Sequence, residues 1–161
     1  MDAAPVDVQP TSALRVQHEA EIEGRAGVIP EQTYQSLVGV PERPTDRVRV
    51  ARAVFVPNSL EPLHWHPIEA TYYVVSGTAT VRDIEDRETE VRPGSFVYAP
   101  AGIEGSHEWQ VGPDGLVLLD IRATNETNRK MQFTVDKQTL RSYIDIGELA
   151  RRDGLRFTSR Y

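Results

Sequence analysis

The stretch NSLEPLHWHPIEATYYVVSG, residues 58–77, decides the fold. Its later part, Thr71–Val75, is dense in aromatic and β-branched side chains and reads as a strand that Gly77 punctuates. Its centre carries His64 and His66. On an extended chain, residues two apart point to the same face. Both imidazoles therefore enter one space, which is what a shared metal ion requires. Alternation continued along the segment puts Ala70 and Tyr72 on that same face. An isolated pair of this kind is more often a surface accident or a hydrogen-bonded core pair, so the flanks carry the argument.

Upstream, residues 47–56 read RVRVARAVFV. Val48, Val50, Val54 and Val56 share one face with Arg52, while Arg47, Arg49, Ala51, Ala53 and Phe55 share the other. Arg52 on the valine face either reaches the interior and binds an anionic substrate, or lies where the strand faces solvent. Downstream, residues 78–83 and 89–92 read as strands, Pro93-Gly94 as a turn, and SFVYAP as a further strand. Trp109–Val111, Leu116–Ala123 and Met131–Val135 complete the series. Such a succession of short strands with turn signals predicts an all-β sandwich or barrel, and no internal repeat suggests a second one. Leu14–Ile22 is weakly strand-like. The segment Gly24–Pro44, cut by Gly24, Gly27, Pro30, Gly39, Pro41 and Pro44, predicts irregular chain or short edge pieces. A short helix is predicted over Ile146–Arg152, with Asp145 as its cap and Gly154 at its end. Residues 1–12 read as a flexible arm and 13–161 as one domain.

Two motifs narrow the class. Residues 58–77 resemble the first cupin motif, G-x5-H-x-H-x3-E-x6-G, with His64, His66 and Gly77 at matching positions. Residues 94–107 resemble the second, G-x5-P-x-G-x2-H, through Gly94, Pro100 and Gly102. The resemblance implies a cupin-type jelly-roll β-barrel with one divalent metal ion inside its mouth, held by His64, His66 and His107. Three departures stand out. Asn58 replaces the first Gly, a mild change because Asn tolerates the left-handed conformation. Ala70 occupies the position of the metal-binding Glu, and a local bulge after Pro67 would be needed to bring the adjacent Glu69 to the ligand face instead. Two extra residues precede His107, so the loop must bulge before the strand begins; Gly102 and Gly105 make that easy.

That loop also carries Glu104 near the expected mouth, as a general acid or base or as an ordinary exposed carboxylate. Tyr72 is the best pocket-lining candidate, with the gap beside Ala70 as part of the substrate space. Trp65, Tyr98 and Trp109 read as packing, and His18 as structural or exposed. Fe(II) is the favoured ion, with Zn, Mn or Ni possible. With Fe(II) the resemblance implies an oxygen-dependent dioxygenase acting on a small, anionic, chelating substrate. With a redox-silent ion it implies a Lewis-acid cyclase, lyase or isomerase. A non-catalytic small-ligand-binding module is the other class, and the fold alone decides none of these.

Bulk properties set outer limits. Net charge is −6, and the Arg residues of RDIEDRETEVR are interleaved with acids, so no nucleic-acid partner is expected. No run of about 18 apolar residues exists, so no membrane span is expected. The start has neither a basic nor an apolar run, and the expected compartment is the cytoplasm. The absence of Cys excludes disulfides, thiolate ligands and thiol nucleophiles. Edge strands of such barrels often pair, which predicts a homodimer.

Overall fold

The structure is a computed structural model that describes residues 10–123 and 132–144. Most of the expected arm, the predicted helix over Ile146–Arg152 and the tail after it lie outside the described residues. Among the described residues ten strands form one curled antiparallel sheet: β1 (Arg25–Ala26), β2 (Gln32–Val38), β3 (Val48–Phe55), β4 (Leu60–Trp65), β5 (Ala70–Asp83), β6 (Glu88–Val91), β7 (Phe96–Ala99), β8 (His107–Ala123), β9 (Phe133–Val135) and β10 (Ser142–Ile144). The architecture is the cupin-type jelly roll.

Strand β8 organises it. Its first part pairs with β4 on one side and the second half of β5 on the other; its second part pairs with β3 and the first half of β5. The sequence predicts four separate strands where the structure has these two long ones. The reason lies at Gly77 and Gly115, which bend β5 and β8 together, both at φ +77. A Cβ on Gly77 would stand 2.0 Å from the Gly115 carbonyl oxygen. Gly77 therefore does not end its strand. It lets two paired strands turn the corner of the barrel while staying paired.

Inside the curl pack Phe55, Tyr72, Val74, Val81, Val91, Trp109, Val111, Leu116 and Leu118. On β3 the buried side chains are Ala51, Ala53 and Phe55, so the alanine face turns inward and the valine face outward. Small residues fit an interior whose volume is taken up by Trp109 and Tyr72. Two further expectations are corrected. Leu14–Ile22 is not strand but coil ending in a 3-10 turn, Glu19–Glu21. Its N-cap is His18, whose Nδ1 accepts from the Ala20 amide at 3.1 Å. The segment Gly24–Pro44 holds a full seven-residue strand, β2, paired along β3 between the breakers Pro30 and Gly39.

Candidate metal centre

Strand β4 delivers His64 and the residues just after it deliver His66; β8 begins with His107, whose Cα partner is His64. All three side chains are buried, and one potential ligand atom of each lies within 4.8 Å of the others. The ring centroids are 5.0 Å apart for His64 and His66, 4.4 Å for His64 and His107, and 5.7 Å for His66 and His107. The two motifs are clasped by a hydrogen bond from the Gly102 amide to the His66 carbonyl, 2.9 Å. The two extra residues of the second motif fold into a 3-10 turn, Ile103–Gly105. Gly105 passes so close to Pro100 that a Cβ would stand 1.9 Å from its carbonyl oxygen.

Hydrogen bonds orient two of the rings. His64 Nδ1 lies 2.7 Å from the Pro62 carbonyl oxygen, and His107 Nδ1 lies 2.8 Å from that of Gly105. A carbonyl oxygen can only accept, so each Nδ1 carries a proton, and Nε2 is the atom by which each ring would bind an ion. Burial pushes the His107 imidazole down to about 4; the Gly105 carbonyl opposes this and the Arg122 charge adds to it. His107 is therefore neutral and ready to ligate at neutral pH. Three buried imidazoles on one space, two of them oriented by backbone carbonyls, fit a borderline divalent ion such as Zn, Fe, Ni or Mn.

Beside them lies a polar network. Asp120 and Arg122, two apart on β8, form a buried two-pronged pair: Arg122 Nε to Asp120 Oδ1 at 2.7 Å, and Nη2 to Oδ2 at 2.8 Å. Arg122 Nη2 also donates to the Tyr72 hydroxyl at 3.2 Å and lies 3.4 Å from His66 Nε2. The Tyr72 hydroxyl is 3.2 Å from His107 Nε2, and Tyr34 donates to Asp120 Oδ2 at 3.3 Å. Burial pushes the Tyr72 phenol well up, with Arg122 opposing, so it is held protonated. Burial acts against the Arg122 charge, but Asp120 and the two phenols outweigh it, so the guanidinium stays charged.

The other sequence candidates sit elsewhere. Arg52 is on the outer face of β3, bonded to Glu19 Oε2 at 2.9 Å and to Gln35 Oε1 at 2.9 Å. The interior arginine is Arg122 instead. Glu69 is exposed and accepts from the Tyr98 hydroxyl at 2.8 Å, so no bulge brings it to the histidines. Glu104 is exposed on the 3-10 turn. Ala70 is buried on the Tyr72 face, as alternation requires. Trp65 stacks on Phe133 at 4.1 Å outside the site. Asp120, Arg122 and Glu61 were missed. For the first two a signal existed: in LVLLDIRA they continue the phase of the inward-facing Leu116 and Leu118.

Residues 51–122 match the family model described as the cupin domain. Over that stretch the chain carries a cupin domain. No curated protein matches this cupin in sequence. Solved structures that resemble it include the polyketide cyclase RemF from Streptomyces resistomycificus, at 22% identity and TM-score 0.61, over 71% of this chain and 82% of that one. The DMSP lyase DddQ from Ruegeria pomeroyi DSS-3 aligns at 17% and 0.58, over 67% of this cupin and 59% of the lyase. An oxalate decarboxylase of B. subtilis aligns at 19% and 0.61, over 79% of this cupin and 34% of the decarboxylase. At these identities the likeness is one of fold. Among the described residues no helix is long and apolar enough to cross a membrane.

Proposed function

We propose that this cupin is a mononuclear metal-dependent enzyme that performs proton-transfer chemistry, of the lyase, isomerase or cyclase kind, on a small anionic substrate able to chelate the ion. One observation carries the reading: a protonated phenol, Tyr72, and a charged guanidinium, Arg122, converge with three imidazoles in a buried space. A divalent ion held by His64, His66 and His107 would act as a Lewis acid toward a substrate oxygen. The protein's own groups supply the rest. Arg122 places positive charge at the edge of the site and draws an anion inward. Tyr72, whose oxygen accepts from Arg122, holds a proton at its hydroxyl that it can exchange with bound substrate. Burial of these groups keeps bulk water away from them. The similar structures, a polyketide cyclase, a DMSP lyase and an oxalate decarboxylase, agree with chemistry on small oxygenated molecules.

The test compares metals and gases. Protein loaded with Zn under nitrogen is expected to turn over candidate hydroxy-, keto- or sulfonio-carboxylates as fast as under air. Turnover that strictly requires both Fe(II) and oxygen would overturn this reading and establish the dioxygenase that the family resemblance implied. Turnover by the metal-free protein would remove the ion from the mechanism.

We also propose that two copies pair through the outer face of β5 and β7. Tyr73 and Phe96 are cross-strand neighbours there, and Phe96 is 72% exposed, with Val75 beside them. An apolar patch of this kind marks an interaction surface. Light scattering at raised concentration should return twice the chain mass; the mass of one chain would refute the pairing.

A further inference from the structure

Gln132 immediately precedes β9 and is only 5% exposed. Glutamine is mostly a surface residue, and burying its amide without a partner opposes folding. Among the described residues its Oε1 nonetheless has no hydrogen-bond partner. An acceptor left unpaired in a folded interior calls for a reason.

The pairing of β9 with β4 fixes where that side chain points. Thr134 and His64 are Cα partners, as are Phe133 and Trp65. Residues opposite one another on antiparallel strands project to the same face. Phe133 and Trp65 stack outside the site, their rings 4.1 Å apart and 9° from parallel. Thr134 therefore shares the inner face with His64. Gln132, two residues before Thr134, shares it too. The register carried one residue further sets Gln132 opposite His66.

Around the imidazoles the carboxylate acceptors are engaged. Both Asp120 oxygens accept from Arg122. Glu61 Oε2 accepts from Gln32 Nε2 at 3.3 Å, and its Oε1 lies 3.3 Å from His64 Nε2. Arg122 and Tyr72 bring donors, which an anionic substrate group satisfies. Such a group brings no proton to Gln132. A hydroxyl on the substrate does, whereas a keto oxygen would set lone pairs against lone pairs.

We infer that Gln132 is a substrate-recognition residue of this centre, its Oε1 accepting from a hydroxyl, so that the substrate is a hydroxy acid rather than a keto acid. The assignment rests on the metal-dependent reading above and narrows its substrate class. A site that offers a buried hydrogen-bonding group rejects the analogue unable to pair with it, because that group then stays unpaired.

The experiment uses the whole chain loaded with Zn2+. Two matched pairs are titrated calorimetrically: lactate with pyruvate, and 2-hydroxyglutarate with 2-oxoglutarate. The hydroxy member of a pair should bind roughly tenfold tighter than its keto partner. Gln132→Met keeps the length of the side chain and removes the acceptor. It should abolish the preference, chiefly by weakening the hydroxy acid. The metal-free variant should melt no lower than the metal-free parent, since only an unpaired acceptor is lost. Its Zn2+ affinity should match the parent's. A clear fall in melting temperature would show that Oε1 has a partner in the free protein, and a fall in Zn2+ affinity that it binds the ion. Either would overturn the assignment. So would a Zn2+-loaded parent that binds both members equally, prefers the keto acids or binds none of the four, or a preference that survives in Gln132→Met. A parent that binds no Zn2+ would overturn the metal reading itself, and the assignment with it.

Discussion

His64→Ala, His66→Ala and His107→Ala should each weaken metal binding roughly 100-fold, and the triple replacement should abolish it, while His18→Ala leaves it unchanged. The magnitude follows from the overall strength of protein metal sites. Structural Zn sites with four donors are worth about 10–16 kcal/mol, roughly 3 kcal/mol per donor. The three imidazoles are brought together by two strands and a 3-10 turn, not by neighbouring sequence, so removing one does not displace the other two. His18 provides the contrast because it caps the turn Glu19–Glu21 on a different part of the surface. Inductively coupled plasma analysis of dialysed protein, with calorimetric titration of Zn2+, measures the effect. A triple variant that still holds one ion per chain with the parent's affinity would place the site elsewhere. Alanine also removes the hydrogen bond to Pro62 or Gly105, so His64→Gln and His107→Gln serve as partners that keep a polar side chain.

The parts of this centre that could be read from sequence are those that obey strand alternation. His64 and His66 are two apart, and Ala70 and Tyr72 continue inward on β5. His107 was legible through the resemblance of Gly94, Pro100 and Gly102 to the second motif, although it stands two residues beyond the expected position. Departures from alternation hid the rest. Glu61 faces inward only because β4 slips register against β8, and a slip leaves no mark in the sequence of one strand. Strands β5 and β8 looked like four because Gly77 read as an end and residues 112–115 as a break, whereas Gly77 and Gly115 bend two strands without unpairing them. The inward face of β3 was open to either choice because both faces are partly covered: Arg52 lies under Glu19 and Gln35, beside the chain that precedes β2. Apolar alternation identifies a buried face only when the other is wet. Asp120 and Arg122 lie in LVLLDIRA, apolar on both phases, so their burial could be told only from the phase of Leu116 and Leu118.

Asp120→Ala should destabilise the protein by about 3–5 kcal/mol, the usual cost of removing one partner of a buried ion pair. Asp120 is 1% exposed and Arg122 8%, and the two are joined by two parallel hydrogen bonds. Without the carboxylate the guanidinium stays in a low-dielectric interior, since its charge is held far more firmly than that of any other side chain. The loss should be much greater than for Asp46→Ala, whose pair with Arg47 is solvent-exposed on both sides. Urea unfolding of metal-free protein isolates the effect from any change in metal affinity. A second substitution decides the cause. In the Asp120→Leu, Arg122→Met double variant no charge is stranded, and apolar side chains of similar volume should recover most of the lost stability. That variant should nevertheless bind anionic substrate poorly, because the positive charge beside Tyr72 is gone. Stability and recognition would then separate: the pair is costly to break, neutral to replace, and retained for the charge it places beside Tyr72. A loss below about 1 kcal/mol in Asp120→Ala would mean that water or another carboxylate reaches Arg122. A double variant with undiminished substrate affinity would show that the substrate's anion is met elsewhere.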